Sequence, residues 1–233
     1  MSAVGEIVVA IPARDEARVL GACLDSVRTA SAALRLVRPD VEVRVVVALD
    51  GCVDDTAAVA AAFGATTVTL AGTGVGRARD AAVTTALAAA RVPVDRIWVA
   101  CTDADSVVPR GWLVRQLVWA GRGIDLVIGT VEPEGPHDAQ VLAAWHARHQ
   151  LVEGHGYVHG ANLGVRARTW LAAGGFGDLR EHEDVHFVER VKVSTDRWVA
   201  TDTTRVRTSS RRAGRVAGGF SGYLRGLEKD VAG

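Results

Sequence analysis

The sequence predicts an α/β fold with a mainly parallel, mixed sheet sandwiched by helices. Strand-like and helix-like segments alternate through the first half of the chain, the pattern of parallel strands joined by right-handed helical crossovers. The segment Val41–Leu49 is nearly continuously apolar, as expected of a strand covered by helices on both faces. Polar motifs follow the strands, where ligands bind in open α/β sheets.

The first half begins with a short apolar strand over Glu6–Ile11. A helix is predicted over Glu16–Ala30, where apolar residues recur at helical spacing. The strand Val41–Leu49 precedes a helix over Asp54–Phe63, whose acidic first turn suits the positive end of the helix dipole. The other elements predicted here are the strands Thr66–Leu70, Arg96–Thr102 and Asp125–Gly129, and the helices Gly76–Ala90 and Gly111–Ala120.

The second half is less regular. A Pro/Gly-rich loop at Glu132–His137 precedes a helix predicted over Asp138–Val152. We expect a single domain over 1–233, with one half at about 1–130 and the other at about 131–233. The remaining predicted elements are a turn and strand over His159–Arg166, a helix over Asp184–Val193, short strands at Arg197–Ala200 and Val206–Thr208, and a terminal helix over Gly218–Val231.

Composition excludes several classes of protein. Lys+Arg and Asp+Glu both number 27, and this zero net charge argues against a nucleic-acid binder. The three cysteines, Cys23, Cys52 and Cys101, are far apart, which argues against a disulfide framework or a zinc site. The sequence shows neither a signal-peptide pattern nor a run of 18 apolar residues. We therefore expect a soluble, cytoplasmic protein without a transmembrane segment.

The most informative motif follows the strand Arg96–Thr102 and reads Asp103-Ala104-Asp105. Carboxylates at the end of a buried strand need solvent, a cap or a positive partner. This spacing lets two short carboxylates converge on Mg²⁺ or Mn²⁺, which keeps water and takes phosphate oxygens as further ligands. The alternative is a polar turn in which Asp105 or Ser106 caps the next helix.

Three other strand ends carry polar loops. The segment Ile11–Glu16 either caps the first helix or lies against a nucleotide, with Arg14 near the phosphates. Asp50, before the turn at Gly51, could accept a hydrogen bond from a base N–H. The Gly-rich loop after the third strand does not have the G-x-G-x-x-G spacing of a dinucleotide-binding motif. A loop that places Arg77 or Arg79 near a pyrophosphate is therefore favoured over dinucleotide binding. The alternative is that these arginines form a solvated face.

Late in the chain, carboxylates and imidazoles cluster in the segment Glu181–His186. The cluster suits either a helix cap or a general base that takes a proton from a hydroxyl. His182 and His186 lack the third ligand of a zinc site.

The ordered set of motifs resembles the family 2 glycosyltransferases. The set comprises IPARDE, LDGCVDDT, a Gly/Arg loop, TDAD, GANLGVR, GGF and HED, and it covers roughly Ile7 to Val193. The resemblance implies a GT-A fold, in which a nucleotide-binding half is fused to an acceptor-binding half. It also implies inverting, metal-dependent transfer from a UDP-sugar or GDP-sugar to a small-molecule or glycan hydroxyl. A nucleotidyltransferase and a non-catalytic nucleotide-binding module are the alternatives.

The resemblance implies roles for individual residues. Asp184 and Glu183 would be the catalytic residues, with Asp184 as the base. Asp105, with Asp103, would bind Mg²⁺ or Mn²⁺, and Asp103 would also face the ribose. The residues expected to bind the nucleotide and donor are Pro12, Ala13, Arg14, Glu16, Asp50, Arg77, Asp103, Ala104, Asp105 and Asn162.

The sequence departs from the family pattern at three points. Leu49 replaces the first aspartate of the usual D-D-G-S-T-D loop. No histidine follows His186, which leaves the metal short of protein ligands and favours an inverting enzyme. The processive Q-x-x-R-W motif and a C-terminal membrane segment are absent, which argues against a polysaccharide-extruding synthase.

Overall fold

A computed structural model describes residues 3–134, 139–179 and 181–209 of the chain. The strands in these residues are β1 (Glu6–Ala13), β2 (Glu42–Asp50), β3 (Thr66–Leu70), β4 (Ile97–Cys101), β5 (Ser106–Val107), β6 (Leu126–Glu134), β7 (Leu163–Arg166) and β8 (Trp198–Ser209). The helices are α1 (Leu20–Val37), α2 (Thr56–Ala62), α3 (Val75–Ala88), α4 (Trp112–Gly121), α5 (Ala139–Arg148), α6 (Ala167–Ala172) and α7 (Glu183–Ser194). The helix predicted over Gly218–Val231 lies outside the described residues.

The described strands form one sheet in the order β3-β2-β1-β4-β7-β6-β8-β5. Strand β1 pairs in parallel with β2 and β4, β2 pairs in parallel with β3, and β6 pairs in parallel with β8. Strand β7 runs antiparallel between β4 and β6, and the short β5 runs antiparallel to β8. The prediction of a mainly parallel, mixed sheet is confirmed.

Both faces of the sheet are covered, and the alternation of side chains along β1 shows how. Ile7, Val9 and Ile11 pack into the core cluster that contains residues of α1, α2 and α4. Val8 and Ala10 point the other way, into the cluster with α3, α6 and α7. A strand with two buried faces has no polar side, which explains its continuous apolar sequence.

Helix α1 begins and ends later than predicted, because the residues before it bind a neighbouring loop. The backbone N–H of Glu16 donates to Thr56 Oγ1 at 2.7 Å, and that of Ala17 donates to Asp54 Oδ2 at 3.1 Å. These bonds hold the start of the predicted helix as a turn. At the other end, Leu34 is buried and continues the apolar stripe beyond Ala30.

Strands β6 and β8 are longer than predicted. The segment Glu132–His137 was predicted as a loop, but β6 continues to Glu134, and β8 is a single strand where two were predicted. An irregularity between Gly129 and Val131 shifts the register of this pair and breaks the period-two pattern in the sequence. Strand β5 and helix α6 are too short to produce a periodic pattern, so neither was predicted from the sequence.

Among the described residues, no helix is both long enough and apolar enough to span a lipid bilayer.

Candidate active site

The candidate site lies beyond the carboxyl ends of β1, β2 and β4, and the start of α7 reaches it from the second half of the chain. Asp50 ends β2, and Asp103 follows β4. At this edge of an open α/β sheet the backbone diverges and leaves a crevice for ligands.

Arg79 connects the two halves of the site. It lies on the buried face of α3 and its side chain is 3% exposed. Its Nη2 contacts Asp103 Oδ1 at 2.7 Å, and its Nη1 contacts the carboxylate of Glu183. Although burial opposes its charge, Asp103 and Glu183 together hold the pKa of the guanidinium above its usual value. Arg79 is therefore a permanent cation between two carboxylates.

Glycine makes room for this cation. A Cβ atom on Gly160 would lie 2.4 Å from Arg79 Nη2, so any larger residue would displace the guanidinium. On another side, the ring centroid of Phe176 lies 5.5 Å from Arg79 Cζ. Gly160 of the GANLGVR motif and Phe176 of the GGF motif thus form walls of the arginine pocket.

Asp184 is held by backbone groups. Its Oδ2 accepts a hydrogen bond from Gly160 N at 2.6 Å, and its Oδ1 accepts one from Val185 N at 2.9 Å. The side chain is half-buried, so it remains open to solvent on one side. Glu183, by contrast, is buried and paired with Arg79. Of the two acids, Asp184 is the better placed to accept a proton from a ligand.

His159 lies close to Asp184 and was not predicted as a site residue. Burial lowers the pKa of its imidazole to about 4, although the nearby Asp184 carboxylate opposes the shift. The imidazole is therefore neutral at neutral pH.

The Asp50 carboxylate binds a loop of its own chain. Its Oδ1 accepts hydrogen bonds from Thr73 N at 2.6 Å and Thr73 Oγ1 at 3.1 Å, and its Oδ2 accepts one from Gly74 N at 2.8 Å. Asp50 is only 3% exposed. It therefore fixes the loop between β3 and α3, on which Arg79 depends for its position.

The residues of the first motif lie in two environments. Strand β1 extends to Ala13, so Pro12 and Ala13 belong to a buried strand and not, as predicted, to the loop after it. Arg14 is exposed and lies next to Gly72 of the loop after β3. Glu16 lies in the turn before α1 and is 8% exposed. Of these four side chains, only Arg14 is freely accessible to a ligand.

Two other residues have different surroundings from those predicted. Asn162 is 1% exposed, accepts a hydrogen bond from Trp112 Nε1 and donates to the carbonyl oxygens of Thr130 and Thr204. This amide ties β6, β8 and α4 together, so the structure does not support direct donor contact. Ala104 is 3% exposed, and its methyl group packs in the core.

Arg77 lies on the exposed side of α3 and forms an ion pair with Asp178 at 3.2 Å. Of the two arginines considered in the sequence, Arg79 is the one at the centre of the site. The signal was present, because Arg79 occupies a helix face made of Gly76, Ala82, Val83 and Ala86. An arginine on an otherwise apolar helix face needs a buried carboxylate partner.

Asp103 and Asp105 fit a metal only in part. Within the described residues, no three Asp, Glu, His or Cys side chains converge closely enough to hold an ion. Asp105 is half-buried and anchored to β8, where Thr208 Oγ1 contacts its Oδ1 at 3.4 Å and Ser209 N donates to its backbone oxygen. One or two carboxylates that await substrate phosphates are a usual arrangement for Mg²⁺. The pair therefore fits an ion that binds together with a phosphorylated ligand.

Comparison with known proteins identifies the family of the chain. A family model for glycosyl transferase family 2 matches residues 8–171, which is most of the chain. The chain therefore belongs to glycosyl transferase family 2. A search of curated proteins finds no significant match.

Solved structures share the fold at low sequence identity. Mannosyltransferase PcManGT from Pyrobaculum calidifontis, in complex with GDP-Man and Mn²⁺, matches with a TM-score of 0.66 and 18% identity over 92% of this chain and 59% of that one. S. aureus TarS 1–349, in complex with UDP, matches with a TM-score of 0.63 and 14% identity over 88% and 60% of the two chains. The chain thus spans less than two thirds of each. These neighbours confirm the predicted GT-A fold.

Proposed function

We propose that this chain transfers a sugar from a nucleoside-diphosphate sugar to an acceptor hydroxyl, with inversion at C1 and with Mg²⁺ or Mn²⁺. The observation that carries the proposal is the Arg79 cluster, in which Asp103 and the Glu183–Asp184 pair meet at the carboxyl edge of the sheet. Membership of the family supports sugar transfer. The UDP bound to TarS and the GDP-Man and Mn²⁺ bound to PcManGT support a nucleotide donor and a metal.

Asp105, with Asp103, would hold the metal, which would neutralise charge on the leaving diphosphate. Asp184 is the base in this proposal. Gly160 N and Val185 N fix its carboxylate, and its half-open side can receive an acceptor hydroxyl. Asp184 takes the proton as the acceptor oxygen attacks C1 from the face opposite the diphosphate. Orienting both substrates supplies much of the remaining acceleration.

Titration calorimetry tests the donor site. We expect UDP or GDP to bind at least about tenfold more tightly with Mn²⁺ than with EDTA, a difference of ~1.4 kcal/mol. Asp105→Asn should remove this difference, because it replaces the carboxylate that would bind the metal with a neutral amide. The exposed Asp196→Asn is the matched control and should behave as wild type. Preference for UTP or GTP over the diphosphates would favour a nucleotidyltransferase, and absence of binding would contradict the proposal.

A further inference from the structure

The two carboxylates bound to Arg79 come from opposite halves of the chain. Asp103 follows β4 on the proposed donor side, and Glu183 is the first residue of α7 and the neighbour of Asp184. A single guanidinium serves both carboxylates. Any change in how strongly it binds one of them changes how strongly it binds the other.

The packing around Arg79 passes such a change on to Asp184. A Cβ atom on Gly76, in α3, would lie 3.0 Å from Glu183 Cγ and 2.8 Å from the Gly177 oxygen, so α3 and the start of α7 are in direct contact. Gly160 lies against the guanidinium on another side and donates its N–H to Asp184. Two routes, through Glu183 and through Gly160, therefore connect Arg79 to Asp184.

We propose that Arg79 is a positioning residue that couples the donor site to the proposed base. By sharing its guanidinium between Asp103 and Glu183, it fixes the start of α7, and with it Asp184, more firmly when a nucleoside diphosphate and its metal occupy the donor site. This inference rests on the proposed function, since it requires a nucleotide site at Asp103.

The sign of the coupling follows from the charges. A metal ion and a ribose hydroxyl bound to Asp103 would compete with Arg79 for the same carboxylate, so the Arg79–Asp103 contact would weaken. The guanidinium then interacts more strongly with Glu183, because both lie in a buried environment of low dielectric constant. Donor binding should therefore stabilise the first turns of α7, and by reciprocity an intact Arg79–Glu183 pair should favour donor binding.

Hydrogen exchange of α7 (residues 183–194) measures the coupling. In the wild type, saturation with UDP or GDP and Mn²⁺ should slow exchange in the first two turns of α7 by about fivefold. Glu183→Gln keeps the size of the side chain but removes its charge, so the slowing of exchange should disappear. The nucleotide should still bind, because the donor site at Asp103 is unchanged. Arg79→Lys should also abolish it, because one ammonium cannot form the two-sided contact of a guanidinium. It provides a second test if Glu183→Gln fails to fold.

Asp178→Asn is the matched control. It breaks the exposed ion pair between Asp178 and Arg77, which lies on α3 like Arg79, but it leaves the contacts of Arg79 unchanged. It should keep the wild-type slowing. Nucleotide binding to the wild type without any change in α7 exchange would overturn the coupling, as would unchanged slowing in Glu183→Gln and Arg79→Lys. If neither UDP nor GDP binds the wild type, the proposed function fails first and the coupling fails with it.

Discussion

At the scale of the residue, Asp50 shows how a buried carboxylate can support a site without being free to touch a ligand. Both of its oxygens already accept hydrogen bonds from Thr73 and Gly74. The family resemblance assigns this aspartate to the nucleotide base. The structure adds a supporting role, because the loop that Asp50 binds leads directly into α3 and Arg79.

Replacing Asp50 with alanine should therefore lower both stability and nucleotide affinity. The substitution removes the hydrogen bonds that the Thr73 and Gly74 N–H groups donate to the carboxylate, which costs about 1–3 kcal/mol in the free energy of unfolding. Nucleotide affinity should fall about tenfold as the loop between β3 and α3 loosens. Urea denaturation and calorimetry measure the two effects.

Asp55→Ala is the control for this experiment. Asp55 is exposed at the start of α2, and its side chain makes no capping hydrogen bond. This variant should stay close to wild type in both measurements. Wild-type stability of Asp50→Ala would rule out the supporting role of Asp50.

At the scale of the element, the approach of α3 to the turn before α7 determines the shape of the site. Gly76 permits this approach, because α3 at this point faces the backbone oxygen of Gly177. Asp80, one turn further on, accepts hydrogen bonds from Phe176 N at 2.8 Å and Gly177 N at 3.0 Å. Helix α3 therefore binds the GGF turn through Asp80, and Gly76 leaves the space that the turn occupies.

Gly76→Ala should push the GGF turn and Glu183 away from α3. The added methyl group would lie 2.8 Å from a backbone oxygen, which a side-chain rotation cannot relieve. We expect a loss of roughly 1–3 kcal/mol in the free energy of unfolding, the usual cost of overpacking. Thermal and urea denaturation measure this loss.

Gly121→Ala tests the same substitution where space is open. Gly121 is the last residue of α4, and a Cβ atom there would meet nothing within 4 Å. Alanine should be neutral or stabilising there, by up to about 1 kcal/mol. Equal stability of the two variants would show that the close approach of α3 carries no energetic constraint.

At the scale of the whole molecule, the sequence predicts the strand–helix order well because each parallel strand is buried on both faces and leaves a clear apolar run. The paired strands β6 and β8 were harder to predict, because their register shifts between Gly129 and Val131. Within the site, Asp103, Glu183 and Asp184 were predicted from motifs, and the structure brings all three to Arg79. The helical spacing around Arg79 held the signal that it is the buried arginine, but the contacts of Asn162 depend on tertiary packing, which local spacing does not encode.

The most direct test of the account is the rate at which nucleoside diphosphate is released from a panel of UDP-sugars and GDP-sugars, with Mn²⁺ and a panel of glycosides as acceptors. The wild type should consume at least one donor. Asp184→Asn keeps the size of the side chain but cannot take the proton, so kcat should fall by roughly 10²–10⁴ while donor affinity is little changed. Wild-type turnover by Asp184→Asn would contradict the assignment of the base. Failure of the wild type to transfer or hydrolyse any donor would contradict the central claim of sugar transfer.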